Sequence, residues 1–196
     1  MLYKEIKNEN DIMYFTLINK LTFDSEVTID EPEDLPVELD FIGGDFITIP
    51  VDNPMIFTTN AKAGDAMLDF EDSSFPIMSK RFLKILQDAG VDNLQTFPII
   101  IKSNEDGTIW EDYYGVNILG MIACADLSKS TYTEIMPGHY RFRELAIDAE
   151  KAKGALLFRL QEHSPTIIMH RSVGRHIKES DPEKTLLGWS VGTIIQ

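Results

Sequence analysis

The stretch FPIMSKRFLKILQDAGVDNLQTFPIII, residues 75–101, constrains the fold more than any other part of the chain. Ser79 is placed to cap a helix, because its hydroxyl can accept from the free N–H groups of a first turn. Met78 before that cap and Leu83 within the helix form the pair expected of a hydrophobic staple. Phe82, Leu83, Leu86 and Ala89 recur at helical spacing, and Gly90 supplies the stop. Lys80, Arg81 and Lys84 occupy the other side, where cations near a helix start oppose its dipole. After VDNLQ, the run TFPIIIK predicts a strand, with Pro98 marking a sheet edge or a strand start. The unit is well formed yet carries no recognisable catalytic group, so it reads as scaffold.

The flanking sequence is richer in strand signals. IMYFTLI (12–18) and DFITI (45–49) predict strands, and LPVELDFIGGDFITIP suggests a hairpin about Gly43 and Gly44. NEDG (104–107) marks a turn. YYGVNILGMIACAD (113–126) predicts one long or bent strand, with Gly115 and Gly120 available for bulges. FRELAID (142–148) alternates as a half-buried strand does. GALLFRL (154–160) and PTIIMH (165–170) predict a strand pair across the polar QEHS. SVGRHIKES (172–180) predicts a short helix capped by Ser172, and WSVGTII a last strand. The pattern is that of an α+β fold, a mostly antiparallel sheet with a few helices, preceded by an irregular acidic N-terminal lobe. The expected division is 1–75 for that lobe and 76–196 for the α+β core, packed as one unit. At 196 residues such a chain buries roughly 70% of its unfolded surface and requires no covalent staples.

Charge separates the two parts. The chain carries a formal −14. Residues 1–75 hold 17 Asp/Glu against 4 Lys, a net of −13, and residues 76–196 hold 15 Asp/Glu against 14 Lys/Arg, a net of −1. Residues 24–40 alone carry eight carboxylates and no basic group. Such a field repels nucleic acid and anionic membranes and speeds encounter with a basic partner. It reads either as a solubilising face or as a docking surface for a cationic protein. The first fifteen residues, MLYKEIKNENDIMYF, hold charges where a signal peptide would be apolar, and no apolar run approaches a membrane span, so the expected compartment is the cytoplasm.

Searching for reaction chemistry returns little. His139, His163, His170 and His176 form no metal-binding spacing, although His163 and His170 would approach one another if they lay on two paired strands. The single Cys124 sits in the apolar run ILGMIACA and reads as a buried thiol. Phosphate-binding loops, dinucleotide fingerprints and nucleophile elbows are missing from the sequence. Glu111 and Asp112 beside Trp110, Tyr113 and Tyr114 superficially suggest a sugar site, but read better as a solvated turn with aromatic packing. The expectation is a protein that binds rather than transforms, with no catalytic residue, no cofactor and no metal.

The order of several motifs adds a further indication. The helix start Ser79, Arg81 and Phe82 is followed by the stop 90–95, then by Tyr114, Val116 and Asn117, by Asp126 with Ser130, and by Phe158 to Leu160. Over residues 65–195 this succession resembles a family of small bacterial immunity proteins of polymorphic toxin systems, immunity family eleven, first catalogued as a domain of unknown function. The resemblance implies a stoichiometric inhibitor of a toxin encoded beside it. It implies no catalytic residues, and it leaves the acidic first third unmatched. Charge placement, rather than the resemblance, makes Asp30, Glu31, Glu33, Asp34 and Glu38 candidate contacts for a basic toxin, with Trp110, Tyr113 and Tyr114 as candidate aromatic anchors. The alternatives are a general interaction module or structural subunit, and an enzyme of unrecognised type. NPMIF (53–57) would serve either a dimer or a partner.

Overall fold

The computed structural model describes residues 13–20, 27–33, 35–36, 39–51, 54–72 and 75–195. Among them, helices are short and strands dominate. Tyr14–Asn19 (β1), Ile29–Asp30 (β2), Met55–Thr59 (β3), Phe70–Asp72 (β4) and Pro76–Ser79 (β5) precede the helix Lys80–Asp88 (α1). Leu94–Ser103 (β6), Ile109–Ile118 (β7), Met121–Ile122 (β8), Thr131–Met136 (β9) and His139–Glu144 (β10) follow. The chain then passes through Ala149–Ala152 (α2), Leu157–Leu160 (β11), His163–His170 (β12), Arg171–Ser180 (α3) and Trp189–Gly192 (β13).

These strands form three sheets. One runs β2-β3-β6-β7-β5-β4, another β13-β1-β12-β11-β8, and β9 with β10 forms a separate two-stranded ribbon. Pairing is antiparallel throughout except between β3 and β6 and between β8 and β11. The main core lies between the two larger sheets. Leu17, Ile167 and Met169 from one meet Phe70, Met78, Val116 and Ile118 from the other, with α1 and α3 contributing Phe82, Leu83, Leu86, Val173 and Ile177. A second cluster, including Phe41, Phe57, Phe75, Ile99 and Ile101, covers the opposite face of the six-stranded sheet. A third gathers Tyr14, Phe158, Leu160 and Ile168. Each large apolar side chain so buried contributes roughly 1.5–3 kcal/mol of transfer free energy, which fixes the two short helices on the sheets better than their propensity would.

The helix–strand unit forms as the residues dictate. Ser79 caps α1, its Oγ accepting from the Phe82 N–H at 3.2 Å. Gly90 stops it with φ +94°, a left-handed conformation that glycine adopts without the Cβ penalty. The early cations have local partners: Arg81 grips Asp69, Lys80 reaches Asp112 at 3.3 Å, and Lys84 pairs with Asp88 one turn on. The strand β6 is internal rather than an edge. Pro98 precedes Ile99, the partner of Met55 where pairing with β3 begins, so the β3 ladder makes no use of its missing N–H.

Several expected elements come out differently. Residues 45–49 form no strand, and no hairpin turns on Gly43 and Gly44. Side-chain amides take the place of a ladder there. Gln95 accepts from the Ile47 N–H at 2.9 Å and donates to the Ile47 carbonyl at 2.8 Å, while Asn117 donates to the Asp45 carbonyl at 2.7 Å. The run 113–126 is not one strand: β7 ends at Ile118, Gly120 turns the chain with φ +90°, and β8 joins the other large sheet. Gly115 marks close packing instead of a bulge, since a Cβ there would press on Phe75 and Met55, and the register shift lies between Ile99 and Ile101 of β6. His163 and His170 occupy the two ends of one strand, so pairing cannot bring them together. His170, not Ser172, caps α3: its Nδ1 accepts from the Ser172 N–H at 3.3 Å.

Candidate partner-binding surface

Among the described residues, β2 is the outer strand of the six-stranded sheet, paired only with β3. Strand alternation sends Ile29 into the core and Asp30 outward. Glu31 and Glu33 follow, both exposed. Asp34 and Glu38 lie outside the described residues. Asp40 is exposed, and its Oδ1 accepts from the N–H groups of Ile42 at 2.9 Å and Gly43 at 2.8 Å, closing the turn that follows. Beneath these carboxylates, Leu35, Leu39 and Phe41 pack toward the core around Phe75. Two concavities open here, one of about 410 Å³ bordered by Glu31, Asp40 and Phe41, the other of about 290 Å³ bordered by Pro32, Pro50 and Ile56. The acidic segment thus combines exposed carboxylates with shallow apolar recesses.

The three aromatic candidates do not form one patch. Trp110 is half-buried against the cluster around Phe75. Tyr113 is buried in that cluster, and its hydroxyl donates to the Leu68 carbonyl at 3.0 Å. Burial, then the Asp69 carboxylate, pushes its phenol well above the usual range. Tyr114 alternates to the opposite face, half-buried beside α1. The strands β3 and β6 separate β2 from β7, a span of roughly 14 Å at the usual strand spacing. The geometry therefore sets Asp30 well apart from these rings.

A second surface was not visible in the sequence. The ribbon of β9 and β10 carries exposed Tyr132, Ile135 and Met136, the last two 59% and 57% exposed. Tyr132, Tyr140 and Phe142 form a ring cluster along it, with centroids 4.9 Å apart for the first pair and 6.1 Å for each pair involving Phe142. Beside the ribbon, a groove of about 660 Å³ opens where all three sheets meet. Ile18 and Asn19 from β1, Asp72 from β4, Phe142 and Glu144 from β10 and His163 from β12 line it. Asn19 ties the sheets together by donating to Glu71 Oε1 at 3.2 Å. Asp72 is half-buried, and desolvation pushes its carboxyl up to about 6 despite the Arg159 guanidinium. These residues come from four separated strands, so no local motif announces the groove.

Metal and thiol chemistry find little support among the described residues. No group of three or more His, Cys, Asp or Glu side chains could hold a metal ion. His163 contacts Thr166 Oγ1 at 2.8 Å, and burial depresses the basicity of both His163 and His170. Cys124 is fully buried, its thiol pushed up to about 12. No helix among the described residues is long and apolar enough to cross a membrane.

No curated protein is similar enough to match the chain. A family model does match, and over a longer span than the motifs from Ser79 to Leu160 implied, taking in the acidic first third. That model is the Immunity protein family (Imm11), matched across residues 5–192, and the chain belongs to this family.

Proposed function

We propose that the protein is an immunity protein that binds a cognate bacterial toxin and neutralises it stoichiometrically, in the cytoplasm and without covalent chemistry. Membership of the immunity family across nearly the whole chain carries this reading. The charge distribution supports a basic partner: the net −13 of residues 1–75 would steer a cationic toxin toward capture at rates near 10⁸–10⁹ M⁻¹s⁻¹ at low salt. Fast capture is what an inhibitor of a toxic enzyme requires, since damage accumulates until the complex forms. Asp30, Glu31, Glu33, Asp34 and Glu38 are the carboxylates proposed to meet the partner, with half-buried Trp110 and Tyr114 the ring candidates that keep some exposure.

The test is a growth assay. The open reading frame adjacent to this one is expressed alone and then together with this protein, and viable cells are counted. The reading predicts a toxic neighbour and rescue by co-expression. A harmless neighbour, or toxicity that co-expression does not relieve, would leave a general interaction module as the better description.

A further inference from the structure

The groove at the junction of the three sheets supports an inference that rests on the toxin-binding reading and deepens it. Asp72 lines the groove from the end of β4, and among the described residues no cation is ion-paired with it. Phe142 lines the same groove and continues the ring cluster of the ribbon. A groove lined by both a carboxylate partly withdrawn from water and an aromatic ring suits a guanidinium, whose forked donors match the carboxylate edge and whose plane stacks on a ring. We propose that this groove is the slot for an arginine side chain of the partner, held between Asp72 and Phe142, with the β9–β10 ribbon gripping the polypeptide that carries it.

The ionised groups lining the slot are two carboxylates, Asp72 and Glu144, against one cation, Arg143, an excess of negative charge that favours a cationic occupant. From β10 come Glu144, whose Oε2 accepts from Thr131 Oγ1 at 2.8 Å, and Arg143. From β12 comes His163, which burial and the Arg141 charge keep neutral at neutral pH. Glu71, next to Asp72 on β4, is tied to Asn19. Behind the wall, Arg159 of β11 is wholly buried, its guanidinium donating to the carbonyls of Ser164 at 2.9 Å and Pro165 at 3.5 Å. Burial outweighs the attraction of Arg159 at Asp72, leaving a carboxylate that is ionised at neutral pH yet poorly solvated. An entering guanidinium relieves that state. Tyr132, Ile135 and Met136 do not line the groove, but they are exposed on the ribbon that carries Phe142 and offer apolar contact to the polypeptide bearing the anchor.

The test has two arms. In the first, N-acetyl-arginine amide is titrated into the ¹⁵N-labelled full chain at pH 7.5 and followed by NMR. Amide shifts are expected at Asn19, Asp72, Phe142 and His163, weakening toward pH 5 as Asp72 takes a proton. They should vanish with N-acetyl-glutamine amide, and with Asp72→Asn, which removes a desolvated charge and is expected to fold. Shifts elsewhere, or shifts that persist in Asp72→Asn, overturn the slot. In the second arm, wild type and Asp72→Asn are compared for rescue from the neighbouring toxin and for affinity to it. A loss of at least roughly tenfold is expected, and equal affinity overturns the slot as a partner site. Failure of the wild type to rescue removes the immunity reading instead, while the arginine titration still decides the slot.

Discussion

Ser79 and Asp69 share a hydrogen bond of 2.6 Å, Oγ to Oδ1, that ties the cap of α1 to a carboxylate only 2% exposed. The same carboxylate accepts from Nε and a terminal nitrogen of Arg81 and from the Leu187 N–H at 2.9 Å. One side chain therefore joins the helix start to the segment leading into β13. Asp69→Ala would leave the Leu187 N–H and the Ser79 hydroxyl without their acceptor, while the half-exposed Arg81 would keep water and the Thr185 carbonyl. The expected loss is about 2–4 kcal/mol, from the two donors left unsatisfied, read by urea denaturation. A loss under about 1 kcal/mol, the range of an exposed ion pair, would refute the account of Asp69 as a structural tie.

Asp72 behaves in the opposite sense. Its folded pKa of about 6 stands above the ordinary range of an aspartate, so the folded state holds the proton more tightly than the unfolded state. The resulting penalty is absent below about pH 4, grows as pH rises through about 6, and is complete above that. Asp72→Asn mimics the protonated form. It should leave stability at pH 4 nearly unchanged and raise it by about 2 kcal/mol at pH 7.5, measured by urea melts at both values. Higher stability with weaker partner binding is the pattern of a residue kept for function. A destabilised variant at pH 7.5 would mean that Asp72 serves Arg159 as a structural counter-charge.

Cys124 should be inert in the native protein. Burial raises its thiol to about 12, with the Glu162 and Asp148 carboxylates adding to the effect, so only about one molecule in ten thousand carries the thiolate at pH 8. A disulfide reagent should label it only on the timescale of unfolding and at once in urea. Rapid labelling of the native protein would contradict the packing around Tyr14 and Phe158.

Legibility in the sequence followed burial. The unit from Ser79 to Ser103 was readable because cap, apolar face, glycine stop and strand sit within one local window, each with its own physical signal. The strand β9 gave none, because all six of its residues are exposed and no apolar alternation results. Residues 45–49 gave a false one: DFITI is rich in strand-forming residues, yet Gln95 and Asn117 satisfy its backbone in place of a neighbouring strand. The cap of α3 passed to His170 because a ring nitrogen can accept as a hydroxyl can. The exposed carboxylates of β2 and the residues after it were visible as composition, whereas the groove was not, since Asn19, Asp72, Phe142 and His163 become neighbours only when three sheets meet.

The acidic face should act on association more than on dissociation. Asp30, Glu31 and Glu33 are exposed, so each gains little from a contact in high dielectric, yet together they shape the long-range field. Converting Asp30, Glu31, Glu33, Asp34 and Glu38 to their amides reduces the net −13 of residues 1–75 by five charges. Stopped-flow association with the cognate toxin should then slow by roughly tenfold at low salt, and its dependence on ionic strength should flatten, because screening has less field to remove. The dissociation rate should change by less than about threefold, as rim charges contribute mainly to the on-rate. Unchanged association, or a large rise in dissociation alone, would move the acidic segment from a steering field to a solubilising face or a tightly packed contact respectively.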